Sequence, residues 1–463
     1  MTITEEDAAL ALRMALSRGG DWAELFWERQ NVVTLTLDDN KLEDAITGVD
    51  QGAGIRVTSG ERGVYANGNV NDGDDLLAIA GRAAATIADD GTTYELRAIS
   101  ADTLPRPSVV GIDPRTVAIE RKVALLRLAN ERARAYDQRV HQVTVLYRES
   151  VQDVVVANSD GRFRTDTRTR LVFGVLVTAK LGDVLESGYR TKAGTEGFEM
   201  LTEEAIIETA ARHAAQNVAA EPAPAGTYTV VLASDAGGTL IHESVGHGLE
   251  ADLNLKGLSV YSGRIGQQVA SELITVVDDG TDPGKRGTQA MDDEGTPTQR
   301  TVLIEKGILK TYLSDRKHAK QLGIPESGNA RRESFRYLPL CRMTTTMIAP
   351  GTSDPAAILA SVPDGIFVKG MGGGQVDVIS GNFAFEITEC YRIRDGRQAE
   401  PLRGATLVGQ GPKLMSEIDM VGWDLGYSVG TCGKDGQGAP VADAQPTLRI
   451  PSVVVGGRVA NPA

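Results

Sequence analysis

The chain has 463 residues, too many for one small core and enough for roughly two or three domains. Its 48 Lys and Arg stand against 62 Asp and Glu, a formal net charge of -14 that argues against nucleic acid or an anionic membrane surface as the main partner. The 52 glycines are spread through strand and turn patterns rather than low-complexity tracts, which excludes wholesale disorder.

The first residues, Met1-Thr2-Ile3-Thr4-Glu5-Glu6-Asp7, are acidic and have no apolar run like that of a secretory signal. No later stretch nears the ~20 apolar residues of a membrane helix. Cys341, Cys390 and Cys432 are odd in number and widely spaced, which does not resemble a disulfide framework, so a cytoplasmic protein is expected. Residues 4–18 predict an amphipathic helix with Thr4 as N-cap, stopping at Gly19-Gly20. From Trp22 to Val70 the texture is that of strands, with Val33, Leu35 and Leu37 alternating with Thr34 and Thr36. A helix over 74–88 completes an N-terminal α+β domain, residues 1–103, with an antiparallel sheet.

After a proline-containing connection, Ile119, Val123 and Leu126 place a helix over 116–136. Strands are expected over Val143–Tyr147, Val151–Ala157, Leu171–Ala179 and Val184–Tyr189, then a helix from Thr202, its N-cap, to Val218. Residues 113–220 thus read as a middle helix/β-sheet domain, closed by the linker Glu221-Pro222-Ala223-Pro224-Ala225-Gly226. Residues 226–463 read as a β-rich, mostly antiparallel C-terminal domain around one helix, with Asp235 as its N-cap. The overall fold class is α+β.

That helix carries His242-Glu243-Ser244-Val245-Gly246-His247. Two imidazoles and an adjacent carboxylate are what a zinc hydrolase needs, a pair of neutral ligands and a base for the metal's water. In the common His-Glu-x-x-His motif the histidines are four apart and share a helical face. Five apart places them about 140° round a regular helix, so both reach one ion only if the helix widens or ends between them. Gly246 and Gly248, tolerant of unusual backbone, make that deformation available, and residues 242–247 are not expected to form an unbroken α-helix. A third ligand must come from elsewhere. Cys432 is the best candidate, in a glycine-flanked loop where Lys434 adds positive charge favouring the thiolate. Glu243 is placed to act as general base. The competing reading is a glycine-punctuated helix end whose histidines hydrogen-bond nearby backbone.

Other residues receive plainer readings. His213 is a surface or packing residue, His318 part of a charged helix face, His141 lies at a strand start, and Cys341 and Cys390 are buried small hydrophobes. No second histidine–cysteine cluster is apparent. Asp292, Asp293 and Glu294 read as a solvated turn. Gly370 to Gly374 lacks the Gly-Lys-Ser/Thr of a phosphate loop, but a glycine-edged strand there offers main-chain pairing to an extended peptide.

The stretch Leu240–Asp252 closely resembles the TldD branch of the TldD/PmbA metalloprotease family, whose signature is His-Glu-x-x-x-His. Met291–Thr296, Gly328–Arg331, Gly372–Asp377, Gly404–Gly409 and Cys432–Gln437 extend the likeness along the chain. The resemblance implies a zinc peptidase in which His242, His247 and Cys432 hold Zn2+ and Glu243 is the catalytic base. It also implies a heterodimer with an inactive PmbA/TldE-type paralogue, a homodimer being the fallback. Thr345 and Cys341 depart from residues usual in relatives, asparagine and proline. The expected activity is hydrolysis of unfolded or extended peptides, proteolytic fragments or leader peptides, with limited sequence specificity. The alternatives are a zinc amidohydrolase acting on small molecules and a non-catalytic, metal-stabilised peptide-binding subunit.

Overall fold

A capping box starts the first helix: the Thr4 hydroxyl accepts from the Asp7 N–H (3.2 Å) and the Asp7 carboxylate from the Thr4 N–H (2.9 Å). The helix spans Glu5–Ala15 and stops short of Gly19-Gly20. The computed structural model describes residues 2–87, 96–201 and 204–457, so the expected cap at Thr202 lies outside the described residues.

Alternating apolar residues then form long strands, Trp22–Asp38, Lys41–Ser59 and Arg62–Asn69, followed by the helix Gly73–Ile87. After the helix Ile119–Tyr136, the two strands expected over 143–157 are one, Val140–Asn158. The polar residues between them do not break it, because Glu149 stays buried beside Tyr147 and pairs with buried Lys122 at 2.7 Å. Arg162–Leu181 and Val184–Gly194 follow. Trp22–Asp38 pairs with Lys41–Ser59 on one side and with Val140–Asn158 on the other, so one sheet runs through residues 22–194.

Strand periodicity sorts its two faces. Odd-numbered Leu25, Trp27, Leu35, Leu37, Val145 and Tyr147 lie under the helices, Glu5–Ala15 and Gly73–Ile87 at one end and Ile119–Tyr136 and Glu204–Asn217 at the other. Even-numbered Phe26, Val154 and Val156 point the other way, against Met291 and Phe335 of the C-terminal part.

That part holds two larger sheets. In one, Gly226–Leu232 lies between Asp364–Val376 and Leu448–Gly456, Ala405–Gln410 and Asn382–Arg394 follow, and Asn382–Arg394 pairs back onto Asp364–Val376 and closes the path. Gly370 to Gly374 is therefore strand, not a phosphate loop. The other sheet runs from Ile308–Leu309 through Arg300–Glu305, Val276–Asp279, Thr345–Ile348 and Gln437–Gln445 to the edge strand Gly426–Lys434. Leu240, Ile241, Val245 and Leu249, flanking the two motif histidines, are buried in the largest apolar cluster of the molecule.

Candidate metal centre

The segment carrying the histidines begins differently from expectation. Ser234–Ala236 forms a separate 3-10 turn, so Asp235 is not the N-cap; the helical segment starts at Thr239. One α-turn, Thr239–Ile241, leads into a π-turn over His242–Gly246 and a 3-10 turn over His247–Leu249. The His247 N–H donates to the His242 carbonyl, five residues back. A turn widened by one residue returns positions five apart to one face, as an α-turn does for positions four apart. The two rings accordingly stand together, centroids 5.0 Å apart and nearly perpendicular at 89°.

The glycines act through space rather than through unusual backbone. Gly246 has helical angles, φ -53° and ψ -58°, but a Cβ there would lie 2.0 Å from Met343 Sδ. At Gly248 it would lie 2.6 Å from the Tyr261 ring.

Cys432 is on the edge strand Gly426–Lys434, hairpinned to Gln437–Gln445, rather than in the expected loop. Its Sγ lies 3.1 Å from His242 Nε2 and 3.1 Å from His247 Nε2. Each ring's other nitrogen faces a carboxylate, His242 Nδ1 at 2.7 Å from Asp443 Oδ1 and His247 Nδ1 at 3.3 Å from Glu250 Oε2. Lys434 Nζ is taken up by Glu250 (2.9 Å) and Asp252 (2.7 Å), so its part is to hold Glu250, not to charge the thiol. Arg342, almost wholly buried, donates to the Cys432 carbonyl at 2.5 Å.

Burial raises the Cys432 thiol, but hydrogen bonds and charge from His242 and His247 overcome it and bring the pKa down to about 5. Burial lowers both imidazoles. Asp443 and Cys432 nonetheless hold His242 well above its usual range, and Glu250 and Cys432 lift His247 to about 9. Glu243 is half-buried and makes no hydrogen bond or ion pair among the described residues. Burial raises its pKa against the opposing charge of the two histidines. Two imidazole nitrogens and a thiolate that converge, their outer nitrogens tied to carboxylates, form a donor set that fits zinc.

Of these residues, sequence reasoning missed Asp443 and Glu250 as partners. A carboxylate three residues after His247 was a usable signal, since a ligating histidine usually gives its outer N–H to such a group. Asp443, on a strand 201 residues from His242, had none.

A second group of ligand-type residues does exist among the described residues: Asp315, His318 and Cys341. The Asp315 carboxylate takes up His318 Nδ1 (2.7 Å) and caps the helix Arg316–Leu322. Burial, then the charge of Asp315, pushes the Cys341 thiol well up, and a protonated thiol is a poor ligand. His213 is buried against Glu389 at 2.6 Å, Cys390 is buried with its thiol pushed up to about 12, and His141 is exposed. Asp292, Asp293 and Glu294 are not a solvated turn but are all buried. Asp293 pairs with Arg168 (2.6 Å) and accepts from the Arg332 N–H (2.7 Å), while Glu294 pairs with Arg56 (2.5 Å), tying this turn to the even face of the long sheet.

Comparison with known proteins agrees with this architecture. Models of the PmbA/TldA metallopeptidase domain 1, central domain and C-terminal domain match residues 23–87, 112–218 and 225–457. A metalloprotease TldD homolog of Haemophilus influenzae is 36% identical over 455 residues, 95% of this chain and 94% of that protein. A metalloprotease of Methanocaldococcus jannaschii is 32% identical, covering 94% of this chain and 97% of its own. The crystal structure of TldE from Thermococcus kodakarensis superposes with a TM-score of 0.75 at 19% identity, over 97% of this chain and all of that one, and so shares the fold. On the matches along its whole length, the chain belongs to the PmbA/TldD metallopeptidase family, in its TldD branch.

Proposed function

We propose that the protein is a zinc metallopeptidase that hydrolyses unfolded or extended peptides with limited sequence specificity, His242, His247 and Cys432 being the ligands and Glu243 the general base. The reading rests on one observation, the approach of both Nε2 atoms to Cys432 Sγ at 3.1 Å with the free carboxylate of Glu243 alongside. When bound, zinc supplies Lewis acidity, lowering the pKa of water toward ~7 and polarising a carbonyl. Glu243 takes the proton of the attacking water on its carboxylate and passes it to the leaving amine. Its burial helps, because a raised pKa makes both transfers easier near neutral pH. Asp443 and Glu250 hold the outer ring nitrogens, which keeps the Nε2 lone pairs directed at the centre.

An extended substrate suits the position of Cys432. The strand Gly426–Lys434 pairs on one side only, so a peptide added along its outer edge would run past the histidines, held by main-chain hydrogen bonds indifferent to side chains. The fold shared with TldE supports a heterodimer with an inactive paralogue of that type, a symmetric homodimer being the alternative. A cytoplasmic setting accords with three cysteines that are all free; no helix among the described residues is long and apolar enough to cross a membrane.

Metal analysis and peptide cleavage on wild type, Glu243→Gln and Cys432→Ala, each with and without the co-expressed paralogue, test this. Glu243→Gln is expected to keep zinc and lose cleavage, and Cys432→Ala to lose both. Normal cleavage by Glu243→Gln would remove the proposed mechanism.

A further inference from the structure

Between the even face of the long sheet and the C-terminal part lies a cavity of about 350 Å³, bordered by Thr431, the residue before Cys432. Its polar lining is dominated by arginine. Arg148, Arg170, Arg286 and Arg331 all face it, and none forms an ion pair with a carboxylate among the described residues.

Arg170 is 8% exposed and donates only to Gln152 Oε1 (3.2 Å) and Gln289 Oε1 (3.3 Å), leaving its Nε without a partner. Gln289, 3% exposed, has an unpartnered Nε2. Arg331, equally buried, gives a hydrogen bond to the Met343 carbonyl at 2.6 Å. Arg286 donates to the Gly430 carbonyl and to Thr431 Oγ1, and its Nε is also unpartnered.

Three carboxylates also line it, and each is engaged by another group. Asp293 holds Arg168 and Arg332, Glu149 holds Lys122, and Glu333 accepts from the Gly438 N–H at 2.6 Å. Burial and the neighbouring charge of Arg168 push Arg170 down to about 9. Positive groups withdrawn from water without a counter-charge are costly unless an anion completes them, and fixed guanidinium donors match a carboxylate in geometry.

We propose that this cavity receives a carboxylate of the substrate peptide. The assignment rests on the peptidase reading and gives it a substrate class, anionic chains. Thr431 and Cys432 are neighbours on one strand, so their side chains emerge on opposite faces. A peptide laid along the outer edge presents alternate residues to the two faces in the same way. With its scissile bond on the Cys432 side, an adjacent residue or the chain end lies on the cavity side. Arg286, hydrogen-bonded to Gly430, and exposed Arg148 stand nearest solvent, while Arg170 and Gln289 form the buried floor. The carboxylate is either the terminal α-carboxylate or an Asp or Glu side chain, and the same chemistry recognises both.

Binding to the full-length Glu243→Gln chain separates these sources. One fluorescent hexapeptide scaffold is used in three forms: neutral with a free C-terminus, neutral and amidated, and amidated with a single Glu for Gln. At least one carboxylate-bearing form is expected to bind on the order of tenfold more tightly than the neutral amide at low salt, with the advantage shrinking as salt rises. A gain confined to the free terminus assigns the α-carboxylate, and a gain confined to the Glu form assigns the side chain. Arg148→Gln, a change at an exposed position, should cut the advantage several-fold while leaving binding of the neutral amide in place, and Arg286→Gln should cut the advantage several-fold as well. Equal binding of all three forms, or an advantage untouched in both variants, overturns the proposal. Cleavage by the wild-type chain, with and without the co-expressed paralogue, is scored separately: a carboxylate preference with no cleavage in either case removes the peptidase reading and keeps the cavity's role, whereas cleavage without the preference does the reverse.

Discussion

Cys432, His242 and His247 share protons as a unit in the metal-free chain. Burial works against charge at all three, yet their mutual contacts leave a thiolate, with a pKa near 5, between imidazoles raised to about 9 at His247 and well above 6.5 at His242. A raised imidazole contributes stability that is complete below its ordinary 6.5 and is lost as pH climbs through its folded value. The lowered thiol contributes stability that is complete above its ordinary 9 and is lost as pH falls toward 5. Zinc competes with protons for the two Nε2 atoms but finds the sulfur already deprotonated. Its affinity is therefore expected to go on rising from pH 6.5 to about 9 instead of levelling off at 7, and its uptake at pH 7 should release protons from the imidazoles. Calorimetric zinc titrations in buffers of different protonation enthalpy measure both, and an affinity that is flat above pH 7 would refute the proton assignment.

The π-turn is the element on which the site depends. It was legible in the sequence as a spacing problem, since His-Glu-x-x-x-His cannot put both rings on one α-helical face. What the sequence did not disclose is why the turn stays open. Met343, on a distant segment, fills the space where a side chain at 246 would go. Gly246→Ala forces a Cβ to within 2.0 Å of Met343 Sδ, and overpacking of this kind typically costs about 1–3 kcal/mol. The variant is expected to unfold at lower urea and to lose zinc, and adding Met343→Ala should restore part of both. Wild-type stability of the single variant would show that the contact relaxes freely. The hairpin bearing Cys432 went unread as strand because glycine, threonine and lysine around it suggest a loop, whereas pairing with Gln437–Gln445 decides the matter in space.

At the scale of the molecule, a buried ionic layer joins the long sheet to the C-terminal part. Glu24 pairs with Arg332 and Asp293 with Arg168, each across more than a hundred residues, and the Asp293 carboxylate also accepts from the Arg332 N–H. Removing one partner of such a buried network strands the charges left behind, so Asp293→Ala is expected to cost about 3–5 kcal/mol in chemical denaturation. The exposed Arg394–Glu400 pair is the control, and Glu400→Ala should leave the midpoint where it is. Equal effects of the two substitutions would mean that the layer is not what holds the parts together.

By itself the sequence determined what depends on neighbours along the chain: the Thr4 cap, the period-two strands, and the spacing of His242 and His247 that demands a widened turn. It also offered Cys432 as the third ligand, which the family likeness then implied. Only the tertiary structure decided what depends on residues far apart. Asp443 reaches His242 from the strand Gln437–Gln445, Asp293 and Glu294 are paired with arginines of the long sheet, and Arg148, Arg170, Arg286 and Arg331 reach one cavity from separate segments. Local propensity records no such convergence, because burial and charge pairing are set by which faces pack together.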